Sequence, residues 1–288
     1  MPLVTTHTLA RLAEAGHYAI PALNVYNLET IACAVRMAEQ LRAGIMIQLY
    51  ERVFQNDGLG PQLSRIACAM ADEASVPIAV TLDHGSCRDS VMRAVRAGCT
   101  GVMFDGSTLE FTENVRQTRD VVALCHACGV SVEGELGHVG AAARGEEDQP
   151  CTQTEHAARF VAETGVDLLA VMVGSAHGVY HKAPRLNIER IREIHEQAHI
   201  PVVLHGGSGI PDDQIRQAVQ AGIRKINYAT DINQAMIDAI AEQLRGKYDN
   251  AIDLFMQAPM RAVTAFMSDR TRLLGAADRI DPTCQSCG

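Results

Sequence analysis

The 288-residue sequence predicts an α/β protein, a closed (β/α)8 TIM barrel with extra helices at its carboxyl end. Three observations predict it. Eight short apolar runs alternate with longer amphipathic segments, the pattern of parallel strands covered by helices on one side and by each other's side chains on the other. Glycine recurs just past a helical segment and ahead of the next apolar run, at Gly98, Gly165 and Gly222, where a left-handed residue ends a helix. No composition break or low-complexity stretch divides the chain. Residues 1–288 therefore read as a single barrel domain, with 232–288 including additional helices and a polar tail; this fold routinely reaches ~250 residues. A doubly wound open sheet is the competing architecture.

The elements follow in order. "YAIPALNV" (18–25) is the first strand, and "NLETIACAVRMAEQLR" the helix after it. "GIMIQLY" (44–50), "PIAVTL" (77–82) and "GVMF" (101–104) supply the next three strands, and "FTENVRQTRDVVALCHAC" has helical period. "VSVEGEL" (130–136) is the fifth strand, followed by the helix "TEHAARFVAETG". "LLAVMV" (168–173) and "PVVLHG" (201–206) are the sixth and seventh. "IPDDQ" (210–214) opens a helix with proline and acids near its first turn, and "IRKINYA" (223–229) is the eighth strand. The helical segments after residue 231 exceed what the last unit needs, so at least one extra helix packs on the barrel or on another subunit.

Composition removes several function classes. Apolar residues at 47% and charged residues at 20% supply a large core and exclude a disordered chain. The net charge of −9 with scattered Lys and Arg argues against nucleic acid and anionic membrane, both of which need a basic stripe. No run approaches the ~18 uninterrupted apolar residues of a membrane span, and the amino-terminal stretch lacks the pattern of a leader. A cytoplasmic protein is expected. Nine cysteines scattered through apparent helices and strands look like reduced thiols; the C-x-x-C pairs Cys125/Cys128 and Cys284/Cys287 sit outside the loop context of a zinc or redox motif.

In a parallel barrel, functional side chains gather at the carboxyl ends of the strands. Asp83 and His84 end the third run in "VTLDHG", His177 follows the sixth in "AHG", and His205 ends the seventh in "LHGGSG". Three neutral imidazoles converging on one mouth suit a catalytic zinc with an open position. "HGGSG" (205–209) and "INYATD" (226–231) supply backbone N–H groups and a helix start after the seventh and eighth strands, the usual phosphate cradle of this barrel. Glu133 and Glu135 alternate and so share a face; if that face is interior, they need partners or a cation.

Taken together, "ALNVYNLET", "LDHG", "DGS", "SVEGELG", "GSAHGVY", "LHGGSG" and "KINYATDI" resemble, in order and over nearly the whole chain, the class II metal-dependent ketose-bisphosphate aldolases, particularly the fructose- and tagatose-bisphosphate branch. The resemblance implies that His84, His177 and His205 bind catalytic Zn2+, and that Asp83 is the acid serving the aldehyde oxygen. It implies that Glu135 serves a secondary site for a second divalent or monovalent cation. Gly178, Gly206, Gly207, Ser208, Asn227, Ala229 and Thr230 would hold a ketose 1-phosphate, with Asn24 and Gln48 near the substrate. The reaction would be reversible cleavage of a ketose 1-phosphate or 1,6-bisphosphate to dihydroxyacetone phosphate and an aldehyde, and the assembly a homodimer or homotetramer. A noncatalytic sugar-phosphate-binding subunit and another metal-dependent barrel hydrolase or isomerase are the alternatives.

Two segments depart from the family pattern. After the second strand the family carries a small glycine- and serine- or threonine-rich loop, whereas this chain reads "QLYERVFQND"; this is either an ordinary polar surface loop or one in which Arg52 meets a distal anion other than a C6 phosphate, such as a carboxylate or sulfonate. After the fifth strand the Glu-Asp pair of the mobile loop comes late in "GHVGAAARGEEDQP". Glu147 is the expected mobile base, with Glu146 next.

Overall fold

A computed structural model describes residues 3–55, 58–146, 149–182, 184–248 and 250–281. Eight parallel strands close on themselves in the order β1-β2-β3-β4-β5-β6-β7-β8, so the closed barrel holds and the open sheet does not. The strands are β1 (Ile20–Asn24), β2 (Ile45–Tyr50), β3 (Ile78–Gly85), β4 (Gly101–Phe104), β5 (Ser131–Leu136), β6 (Leu168–Val171), β7 (Val202–Leu204) and β8 (Ile223–Tyr228). The expected strands are all present. Several are shorter at their ends, whereas β3 runs three residues further than its apolar stretch.

Around the barrel lie α2 (Leu28–Gln40), α3 (Gly60–Glu73), α4 (Arg88–Arg96), α5 (Phe111–His126), α6 (Thr154–Thr164), α7 (Ile188–Ala198), α8 (Asp212–Ala221) and α9 (Thr230–Arg245). Gly165 ends α6 with φ 71, a left-handed cap that glycine adopts without steric cost. An additional helix, α1 (Thr6–Gly16), precedes β1. Its Leu9, Ala10 and Ala13 are fully buried and pack with Ile20, Ala22, Met46, Ala79, Leu168, Ala170 and Val203, the inward-facing residues of the barrel floor. This helix stops the amino-terminal mouth, and each large apolar side chain so buried contributes about 1.5–3 kcal/mol.

The carboxyl end adds α10 (Ile252–Phe255) and α11 (Gln257–Leu273). The latter packs against α9, α2, α8 and β1, so the extra helix belongs to the barrel wall. Beyond it, Asp278 and Ile280 donate their backbone N–H to the carbonyls of Leu41 and Arg42. Among the described residues no helix is long and apolar enough to cross a membrane.

Along each strand the inward side chains change character from floor to mouth. Ile20 and Ala22 on β1 give way to Asn24, Met46 on β2 to Gln48, Ala79 on β3 to Thr81 and Asp83, and Val203 of β7 to His205. Register carries this polarity around the barrel: Ala22 pairs with Asn227, Asn24 with Gln48, and Tyr50 with Asp83. An apolar floor under a polar layer at the carboxyl ends is what locates a site in this fold.

Candidate active site

Asp83 and His84 owe their positions to an irregularity. Leu82 pairs with Val102 but Gly85 with Phe104, so β3 spends one extra residue, a bulge. His84 takes the left-handed conformation, φ 55, which is costly for a residue with a Cβ and re-aims its ring into the mouth. Its Nδ1 lies 2.9 Å from Asp105 Oδ2. Asp105 is fixed in turn by the Ser107 hydroxyl, which donates to its Oδ1 at 2.6 Å. Burial would raise the Asp105 carboxyl, but His84 and Ser107 outweigh it and hold it well below the carboxylate range.

His205 is fixed from below. Its Nε2 donates to Glu133 Oε1 at 2.9 Å, and Lys225 Nζ donates to Glu133 Oε2 at 2.7 Å, all three fully or nearly fully buried. Burial would lift Glu133, yet Lys225 and His205 bring it down to about 2. This second hydrogen bond on each of two rings orients their other nitrogen toward the cavity. The His177 backbone is stitched to the loop after β5, with its N–H on Gly140 O and its carbonyl accepting from Ala142 N–H.

The three rings face one another with centroids 4.8 to 5.7 Å apart. His84 Nε2, His177 Nε2, His205 Nδ1 and Glu135 Oε2 are buried without a hydrogen-bond partner among the described residues. One nitrogen from each histidine lies within 4.8 Å of the others, and His84, Asp105 and Glu135 form a second such set. His205 Nδ1 stands 3.4 Å from Glu135 Oε2; with Glu135 ionised these are two acceptors face to face, an arrangement that a cation relieves.

The electrostatics agree. Burial lowers the His177 and His205 imidazoles, which keeps them neutral and their lone pairs available. Burial also acts to lower His84, but Asp83, Asp105 and Glu135 outweigh it and push it up to about 10. Burial and Asp105 push Glu135 up to about 8. This surplus of anionic field around three imidazoles fits a divalent cation, and the nitrogen-rich donor set fits zinc.

Asp83 is buried beside them and accepts from three amides: Asn24 at 2.8 Å, Gln48 at 3.2 Å and Asn227 at 3.3 Å. The Asn24 and Asn227 side chains line a cavity of about 290 Å³, together with Asp83, His84, His177, Gly178, Gly206, Ser208, Ala229 and Thr230. Gln48 is fully buried and lies beneath Asp83, while Gly207 sits behind the wall, where a Cβ would meet Ile226 and the Asn227 carbonyl. α9 begins at Thr230 on the cavity rim. Tyr180 joins the two loops by donating to Gly206 O and accepting from Ala176 N–H.

Both departing segments also reach this cavity. Arg52, Tyr50, His138, Arg144 and Glu146 line it. Glu51 does not: its carboxylate turns back to accept from Ser86 N–H and hydroxyl at 3.0 and 2.8 Å. Glu147 lies outside the described residues, as do Asp148, Cys284 and Cys287.

The family model for class-II fructose-bisphosphate aldolase matches residues 4–279. The chain belongs to that family. It is an aldolase, a carbon–carbon lyase of a family that is generally zinc-dependent. The aldolase is similar to the YdjI aldolase of Escherichia coli K12, with 31% identity and a TM-score of 0.87 over 97% of this chain and 100% of that one. It shares its fold with the fructose-bisphosphate aldolase of Campylobacter jejuni, with 20% identity and a TM-score of 0.80 over 96% and 97% of the two chains.

Sequence reasoning missed Asp105 and Lys225 as partners of this aldolase's histidines. Asp105 had a readable signal, an acid immediately after the strand "GVMF". Lys225 had none, because a lysine within an apolar strand reads equally well as facing out between helices.

Proposed function

We propose that the chain cleaves a ketose 1-phosphate reversibly into dihydroxyacetone phosphate and an aldehyde, with His84, His177 and His205 holding zinc. The convergence of three unpartnered imidazole nitrogens beside Asp83 carries the reading. Lewis-acid stabilisation of charge developing on the substrate oxygens is the chemistry that bound zinc would supply there.

The chain's own groups account for the rest. The 1-phosphate sits on Gly178, Gly206, Ser208, Asn227, Ala229 and Thr230, where loop N–H groups and the α9 amino terminus receive an anion. In cleavage, Asp83 takes the proton of the C4 hydroxyl as the C3–C4 bond breaks, and its electron pair passes to C3. In condensation the same carboxyl returns that proton to the aldehyde oxygen. Asn24, Gln48 and Asn227 hold Asp83 at the required angle. A glutamate of the loop after β5, Glu147 with Glu146 next, moves the proton at C3. Glu135, with His84 and Asp105, serves the second cation set.

Residues 1–288 act as one cytoplasmic domain, a reading supported by the free thiols of the described cysteines. It assembles as a homodimer or homotetramer; exposed Ile237, Leu244 and Ile252 near α9 support this.

Release of dihydroxyacetone phosphate, followed with zinc and with chelator, tests the reading. Asp83→Ala should retain zinc and lose cleavage by about 100-fold or more, while His84→Ala should lose both. Near-normal turnover in the Asp83 variant would remove its acid role.

A further inference from the structure

Arg52 stands at the cavity rim in an unusual setting. Its guanidinium carbon lies 5.5 Å from the Tyr26 ring centroid and 5.2 Å from that of Tyr50, and among the described residues no carboxylate pairs with it. Both tyrosines stand in ordered surroundings. Tyr26 precedes the α2 capping box, in which Asn27 Oδ1 accepts from Thr30 N–H, and its own N–H donates to the Thr30 hydroxyl at 3.0 Å. Tyr50 lies 5.7 Å from the His84 ring, centroid to centroid. The short turn that carries Arg52 (Glu51–Phe54) is anchored by the buried Glu51 on Ser86. An arginine oriented by two aromatic faces, left without a carboxylate and aimed at a cavity, is prepared for an anion that comes and goes.

The cavity is bipolar. At one wall, backbone N–H groups, hydroxyls and the α9 start surround a position suited to a tetrahedral phosphate. Elsewhere on its lining stand Arg52 and Arg144, with Asp83, Asp105 and Glu146 also on it. Arg52 offers a flat fork rather than a cradle. A second phosphate would bring about −1.5 to −2 charge to a single guanidinium, whereas one planar carboxylate matches that guanidinium in charge and shape.

We propose that Arg52, with Arg144 on the same cavity, receives a carboxylate at the far end of the substrate, so that the aldehyde released is an aldehydo acid. This rests on the aldolase reading above. The bond changes are those already given: C3–C4 breaks, the C4 hydroxyl proton passes to Asp83, and C3 is protonated. No oxidant or reductant is required.

The test is condensation of dihydroxyacetone phosphate with aldehydes of equal chain length ending in carboxylate, hydroxymethyl or phosphate, using the zinc-loaded enzyme. The carboxylate-ended aldehyde should lead in kcat/KM. Arg52→Ala should cut its advantage over the hydroxymethyl one by about 10- to 100-fold, the range of a charge-assisted hydrogen bond; Arg52→Lys should keep part of it, and Arg144→Ala should reduce it less. A lead for the phosphate-ended aldehyde, or a selectivity ratio that Arg52→Ala leaves unchanged, overturns the proposal. Exchange of the C3 proton of dihydroxyacetone phosphate with deuterated water reads the aldolase step without any aldehyde. Exchange without carboxylate preference sinks the distal site alone; absent exchange sinks both.

Discussion

At the residue scale the site rests on buried side chains that never meet substrate. Lys225, Glu133 and His205 form a chain in which an ammonium neutralises a carboxylate that orients an imidazole. Lys225→Met would leave Glu133 charged and buried with only His205 as partner, and removing one member of a buried pair costs about 3–5 kcal/mol. Glu133 titrates at about 2 when folded, against the ordinary 4.5. A depressed carboxyl contributes its stability fully above the unfolded value and loses it as pH falls through the folded one. The Lys225→Met penalty should therefore be complete above about pH 4.5 and shrink toward pH 2. Denaturant midpoints of the zinc-free proteins across that range check this; equal midpoints at pH 7 would refute it. The positions of the three histidines and Asp83 were legible because Asp83, His84 and His205 stand at the ends of apolar runs, His177 shortly after one, and each histidine precedes a glycine. The support of His205 was not, since the hydrogen bonds that join it to Glu133 and Glu133 to Lys225 link residues 72 and 92 positions apart and leave no local spacing in the sequence.

At the element scale, the strands and helices were readable because hydrophobic period and helix-stopping glycines agree along the chain. What period does not encode is the departure from regularity that makes the site. The bulge in β3 turns His84 inward at a position that strict alternation from Asp83 would turn outward. α1 carries Leu9, Ala10 and Ala13 at helical spacing but stands outside the alternation of strand and helix that marks the other helices. Gly206 is a further irregularity: its φ is +66, and a Cβ there would lie 2.1 Å from the Ala176 carbonyl oxygen. Gly206→Ala thus combines a left-handed backbone, worth about 1–2 kcal/mol, with a clash against backbone in the loop that carries His177. It should destabilise the protein by more than about 2 kcal/mol and raise the KM for dihydroxyacetone phosphate about tenfold, since the cradle must open to admit the methyl group. Unchanged melting and KM would show that the two loops are not locked together as the distances require.

At the scale of the whole molecule, the eight strands bring to one mouth residues as far apart as Asn24 and Thr230, and the barrel is what holds like-natured ligand groups together. The tail helps: α11 lies on α2, α9 and β1, and the Leu274 carbonyl accepts from Ala19 N–H, tying the end of the chain to the start of the first strand. A polar layer of three imidazoles and several carboxylates, built over an apolar floor, is costly to desolvate unless a cation occupies it. Metal removal is therefore a stability experiment as well as an activity one. At free zinc about a thousand times its dissociation constant, linkage adds about 4 kcal/mol, which for a chain of this size corresponds to a rise in Tm on the order of 5–10 °C. Calorimetry with chelator should show that loss and its reversal on adding zinc, and His205→Ala should show a smaller dependence on the metal. A Tm indifferent to chelator would mean that the three nitrogens hold no cation tightly, and that the barrel meets the cost of the layer by protonating Glu135 and His84 instead.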